Sequence, residues 1–309
     1  MKKIETHIYI ALAVFVALFI VGSFYDYELS NMLYSKQNMF GLVTSVIEPT
    51  FGYGVVAFIG GGFFALFFKK QYKTIFRVLF IAAALGCLGV AVFFAGREFF
   101  GPNGFYWIGV ARSWGYLIAF PAELAIACLG YLLTKNSKNG NLWLLYLIMA
   151  VVIAIVLLAG TSLFKVIFHR PRFRSIFEYE TQGLRFHEWY SPCKDYKYWI
   201  NEVGLDKDEF KSFPSGHTSV AAVLMMSFVF LPCLDNKYKK WQIPLFYVGL
   251  VFTLLTGFVR ILVGAHFLSD VSFGALLAII FFLIARVVIV ENKTLSQKIL
   301  LPEEVENNE

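Results

Sequence analysis

Apolar runs of membrane-spanning length recur from one end of this chain to the other, and they decide what it can fold into. A helix that crosses a bilayer needs about 20 mostly apolar residues, set by the thickness of the hydrocarbon core and the helical rise per residue. About eight stretches meet that need: Ile8–Phe24, Tyr53–Phe68, Phe76–Ala95, Tyr116–Leu133, Trp143–Phe168, Thr218–Leu231, Ile243–Leu262 and Val271–Val290. The polar remainder is too small to solvate a water-soluble body. Of the 309 residues, 58% are hydrophobic and 16% are charged, against about 25% charged in a soluble domain. This excludes a soluble enzyme, a disordered chain and a nucleic-acid binder. The expectation is an all-α, polytopic membrane helix bundle. Gly60, Gly61 and Gly62 inside the second stretch suit close helix packing. No small-x-small cleavage pattern follows the first stretch at Val21–Asp26, so it is expected to stay as an uncleaved helix. Cys87, Cys128 and Cys233 lie in or beside apolar runs and Cys193 stands alone, which suggests no disulfide pair.

The connecting segments alternate in charge. One set carries Lys2 and Lys3, then Lys69, Lys70, Lys73 and Arg77, then Lys135 and Lys138, then Lys237, Lys239 and Lys240, then Arg286, Lys293 and Lys298. The opposite set holds Lys36, Arg97 and Arg112 in its short early loops. With eight spans the basic set and both termini fall on one side, and the positive-inside rule makes that side cytoplasmic. The long polar segment Lys165–Phe213 and the turn near His266 then share the outer face. That segment, balanced in charge, is expected to form an external cap of short helices. The tail after Glu291 ends in an acidic run through Glu309 and is expected to be solvated and frayed.

Charge is costly at membrane depth, so ionisable residues near helix ends carry functional weight. They fall in three clusters: Lys165 to Arg172, Phe213 to Ser219, and Val259 to Asp270. Lys165, Arg172 and Arg260 are three fixed cations that could neutralise a dianion such as a phosphate, with the arginine fork matching its oxygens. Pro214-Ser215-Gly216 opens an apolar helix, whose first N–H groups favour an anion; Gly216 allows close approach and Ser215 adds a hydroxyl. His266 and Asp270 are spaced to share one face of a helix, so the carboxylate would fix the imidazole tautomer. His266 is the candidate nucleophile on phosphorus. His217 is the candidate general acid, then the base that activates water. The sequence offers no familiar metal-ligand spacing, and no cofactor is expected. Glu123, inside the fourth stretch, is expected to be a functional carboxylate or the partner of Arg97 or Arg112.

These clusters resemble the three signature motifs of the type 2 phosphatidic acid phosphatase family, which shares its site with vanadium haloperoxidases. Lys165 and Arg172 keep the spacing of the first motif, although Phe173 stands where the family has proline. Pro214-Ser215-Gly216-His217 matches the second in full. Arg260, His266 and Asp270 keep the third, although Val259 replaces its serine. Arg170-Pro171 is a second Arg-Pro in the wrong register. The resemblance covers about residues 165–290 and implies a six-helix core with its site at the outer leaflet. Residues 1–70 would then be two extra helices, 75–290 the core with its cap at 174–212, and 291–309 a cytoplasmic tail. It further implies a metal-independent phosphatase that acts through a phosphohistidine on phosphatidate, phosphatidylglycerol phosphate or undecaprenyl diphosphate. A lipid phosphotransferase at the same site, an anion transporter and a haloperoxidase are the alternatives; clustering of the charges at one face favours an enzyme. The chain's character suggests the cytoplasmic membrane of a bacterium. Its expected partners are the lipid substrate and membrane lipids; the oligomeric state stays open.

Overall fold

The structure, a computed structural model, describes residues 2–36, 38–100, 104–105, 109–137, 139 and 141–299. The expectations for Lys138 and for the acidic end of the tail lie outside these residues. In chain order the helices are α1 (Lys2–Leu33), α2 (Met39–Phe67), α3 (Thr74–Phe99), α4 (Ser113–Lys135), α5 (Leu142–Leu158), α6 (Phe164–Phe168), α7 (Phe173–Tyr179), α8 (Tyr196–Asn201), α9 (Gly216–Ser227), α10 (Leu231–Leu234), α11 (Lys239–Leu262), α12 (Leu268–Glu291) and α13 (Lys293–Ile299). Seven helices among the described residues are long and apolar enough to cross a membrane. They are α1, α2, α3, α4, the α9–α10 run, α11 and α12. The remaining expected stretch, Trp143–Phe168, begins as α5, a helix of 17 residues. It then passes through a π turn at Ala159–Leu163 into α6, with helical dihedrals at the junctions.

The bundle turns large apolar side chains outward as well as inward. Phe24, Leu85, Leu117, Leu158 and Val251 are more than half exposed, as expected of a surface solvated by lipid rather than water. Inside, α2 is the hub. It packs against α3, α4 and α9, while α1 lies along α12 and α11. Close approach on α2 depends on absent side chains: a Cβ on Gly61 would stand 1.7 Å from the Ala127 carbonyl of α4. The main core joins Ile8, Ile59, Tyr146, Val223, Phe246 and Phe282 from six different helices. Between helices already solvated by lipid, such a core contributes through close packing rather than through removal from water.

Side-chain hydrogen bonds tie each end of the bundle. At one end, Lys69 reaches the carbonyl of Ser137 (3.2 Å). Asn139 there donates to the carbonyls of Cys233 and Ile299, and Arg286 pairs with Glu5 at 2.7 Å. The start of the tail is thus the docked helix α13, with Ile299 fully buried. At the other end α7, α8 and short 3₁₀ turns cover the bundle over 173–210. A second apolar cluster there contains Phe173, Ile176, Leu184, Trp199, Phe210 and Phe267. Trp189 donates to Ser23 (2.9 Å) and Lys36 reaches Glu178 (3.4 Å), fastening α1 to this cover. All four cysteines are free.

Candidate active site

Beneath this cover lies a cavity of about 380 Å³ whose lining includes Lys165, Arg172, Gly216, His217 and His266. Four separate segments bring these residues together. Lys165 follows the π turn of Ala159–Leu163. Such a turn inserts a residue and rotates everything after it, a local cost often found at functional sites. Ser162 and Lys165 line the cavity as a result. His169 then ends the helix with φ at +43°, a left-handed conformation that costs a residue bearing a Cβ. Its ring stacks on Tyr196, centroids 3.6 Å apart.

Beyond that reversal, Arg170 and Arg172 take different places. Arg172 lines the cavity; its Nε donates to the Asp208 carbonyl at 2.9 Å. Burial, then neighbouring Arg174, pulls it down to about 10, so it stays protonated at neutral pH. Arg170 is held in a buried network away from the lining. Its Nη2 donates to Asp26 of α1 (2.9 Å), and its Nη1 to Ser269 (2.9 Å) and Asp270 (2.5 Å). Its guanidinium also lies over the Phe267 ring, 4.1 Å from the centroid.

The expected partnership of His266 and Asp270 needs correction. They do not share a helical face, because His266 lies in the turn before α12 and Asp270 in that helix's first turn. The His266 Nδ1 is 2.6 Å from the carbonyl oxygen of Ser212, whereas the nearer Asp270 oxygen is 3.8 Å away. A carbonyl can only accept, so Nδ1 carries the proton and Nε2 of the neutral ring holds a lone pair. Asp270 acts one step removed: it accepts from the Ser212 hydroxyl (2.5 Å), the Phe267 N–H (2.8 Å) and Arg170. Burial pushes His266 down to about 3 against the opposing pull of Asp270, with Arg172 and Arg260 adding to the push. The ring is therefore neutral at pH 7.

Ser215 is the N-cap of α9; its Oγ accepts from the N–H and hydroxyl of Thr218 at 3.3 and 3.0 Å. It is fully buried behind Gly216 and His217, which reach the lining. The helix start is seated on α12: the Ser215 N–H donates to the Asp270 carbonyl at 3.0 Å. A Cβ on Gly274 would stand 2.4 Å from the Ser215 carbonyl, so only glycine lets these helices meet here. The His217 Nε2 has no hydrogen-bond partner among the described residues and faces Glu98 of α3 at 3.7 Å. Arg260, His266, Lys165 and Arg172 all lie within electrostatic reach of it. Arg260 is fully buried on α11, behind the lining; its three guanidinium nitrogens make no hydrogen bond among the described residues. Glu48 of α2 and Glu98 of α3 lie within electrostatic reach of it.

Several residues that shape this cavity belong to no recognisable motif. Tyr53, Arg97, Glu98 and Arg112 come from α2, from α3 and from just before α4, and Asp208 and Lys211 from the cover. Glu98 was detectable only as one more charge at an apolar helix end. Ser212, a carbonyl contact, left no trace in the sequence. Glu123 pairs with neither arginine: both its oxygens are buried without a partner among the described residues, in the α2–α4 contact beside Gly54. Arg97 instead pairs with Glu98 at 2.9 Å. Apart from the cavity, His187, Cys193 and Asp195 bring one possible metal-ligand atom each within 4.8 Å of one another.

Residues 142–294 match the family model described as PAP2 superfamily. The matched span contains every motif residue above, from Lys165 to Asp270. Neither the curated proteins nor the solved structures contain a match to the chain.

Proposed function

The chain belongs to the PAP2 superfamily, whose membrane-embedded members are in general phosphatases, and on that premise we propose that it hydrolyses a lipid phosphate or diphosphate at the outer face of a membrane. The observation that carries this reading is the convergence of Lys165, Arg172, Gly216, His217 and His266 on one cavity. Fixed cations beside two imidazoles suit a phosphoryl group better than any neutral substrate.

In this mechanism the phosphoryl oxygens meet Lys165 and Arg172, the N–H groups at the start of α9, and the field of Arg260 behind them. The His266 Nε2 lone pair attacks phosphorus. The bound phosphate, with Glu98 beside it, brings a proton onto His217 against the surrounding cations; the bond from phosphorus to the lipid oxygen breaks, and His217 donates that proton to the oxygen. The dephosphorylated lipid leaves, and phosphate stays on His266. His217, now neutral, takes a proton from water as that water attacks phosphorus. The N–P bond breaks and inorganic phosphate departs. The Ser212 carbonyl holds the His266 ring and stabilises its Nδ1–H throughout, with Asp270 as the charge behind it. The cations offset charge that spreads over the equatorial oxygens at each transition state.

The charge pattern of the connecting segments supports this orientation: the basic segments at the end tied by Lys69, Asn139 and Arg286 would be cytoplasmic, with both termini. His266→Ala and His217→Ala should each lower phosphate release from lipid phosphates by about a thousandfold or more while the protein still unfolds near its usual temperature. Activity near that of the unaltered protein in either variant would end the mechanism. Transfer of label from the lipid to a second lipid, without free phosphate, would make the enzyme a phosphotransferase.

A further inference from the structure

An apolar groove of about 340 Å³ runs between α3 and α4, lined among others by Leu85, Gly89, Val92, Phe93, Tyr116 and Phe120. We propose that it seats the hydrocarbon tail of the lipid whose phosphate enters the cavity, an assignment that rests on the lipid phosphatase reading above.

Continuity with the cavity carries the inference. On α3, Leu85, Gly89, Phe93 and Arg97 succeed one another four residues apart, so they form one stripe along the helix. Arg112, Tyr116 and Phe120 form the matching stripe on α4 and the residue that precedes it. The lower members of both stripes line the groove, and the arginine at the head of each lines the cavity. The stripes are held side by side by contact of the two backbones: a Cβ on Gly115 would stand 2.1 Å from the Gly96 carbonyl. Phe93 and Tyr116 stack across the join, centroids 5.8 Å apart. From Arg97 to Leu85 the helix rises about 18 Å, close to the depth of one leaflet. Cations at the top and an apolar trough of leaflet depth below match an anionic headgroup on a hydrocarbon chain. The trough is also open: Leu85 is 67% exposed and Phe93 51%. A Cβ on Gly89 would meet no atom within 4 Å.

Gly89→Phe in the full-length protein fills the trough without touching the cavity. Gly86→Phe is the control, since a Cβ there also meets nothing within 4 Å and the residue is outside the groove lining. Phosphate release is measured in detergent micelles on a long-chain phosphatidate and on phenyl phosphate, which has no tail. With Gly89→Phe, kcat/KM for the phosphatidate should fall about tenfold or more, because a tail turned out of the trough into detergent no longer holds its phosphate in line with His266. The rate on phenyl phosphate, and both rates of Gly86→Phe, should stay unchanged. Equal losses on both substrates, no loss on either, or an equal effect of Gly86→Phe would overturn the groove assignment and leave the phosphatase reading standing. Failure of the unaltered protein to release phosphate from either substrate would overturn the phosphatase reading, and the groove assignment with it.

Discussion

Replacing Arg170 by glutamine tests whether the buried network behind the site holds the fold together. Arg170 is 1% exposed and satisfies two buried carboxylates at once, Asp26 from α1 and Asp270 from α12. Glutamine keeps a donor but removes the charge, and both carboxylates then stay buried without a cation. Breaking such a buried pair from one side costs about 3–5 kcal/mol. For a chain of this size that lowers the unfolding temperature by on the order of 10 °C. Asp26→Asn in the same chain removes one of the stranded charges and keeps an acceptor for the Ser269 N–H, which now donates to Asp26 at 2.8 Å. The double variant should therefore be more stable than the two single effects predict, by at least about 1 kcal/mol. Intrinsic fluorescence during heating of the detergent-solubilised protein gives all four unfolding temperatures. A fall of less than about 2 °C for Arg170→Gln, or strict additivity of the two substitutions, would refute the reasoning.

Acid should loosen the cover before it inactivates the imidazole. Burial pushes Glu209 up, but Arg174, Arg172 and the Ser175 hydroxyl outweigh it and hold the carboxyl near 2, below its ordinary 4.5. This contribution, about 3 kcal/mol at full strength, is present above pH 4.5 and lost as the pH falls toward 2. Unfolding temperature against pH should show that acid slope, and Glu209→Gln should flatten it; a parallel slope in the variant would count against the pair. Phosphate release should be insensitive to EDTA and inhibited by orthovanadate, which adopts the five-coordinate geometry of the transferring phosphorus. Loss of activity on chelation would show that a metal takes part.

Much of this protein is legible in one dimension. Burying an uninterrupted apolar run requires helix in a bilayer, since every backbone polar group must be satisfied within its own segment. All the expected runs are helical, Trp143–Phe168 with a π turn within it, because that requirement is local. The motif residues were equally legible as types and spacings: Lys165, Arg172, His217 and His266 meet at one cavity. The His266–Asp270 spacing was legible too, but its geometry was not. The sequence suggests a helical face, and the chain instead makes a turn in which the Ser212 carbonyl takes the ring proton. Glu123 likewise reads as a functional carboxylate or a partner for Arg97 or Arg112, and it meets neither arginine but is buried against α2, because helix rotation about its own axis depends on the neighbours it packs against.

What the sequence determined by itself was the helical class, the approximate spans and the chemical inventory of the site. These depend on transfer of side chains and backbone out of water, which acts residue by residue. Only the tertiary structure decided what Arg170 does instead of facing the cavity, which oxygen orients His266, and which residues of α2, of α3 and of the segment before α4 complete the lining. Those outcomes depend on contacts between segments far apart in the chain, such as Asp26 with Arg170 or Gly274 with Ser215. No local pattern of residues specifies them.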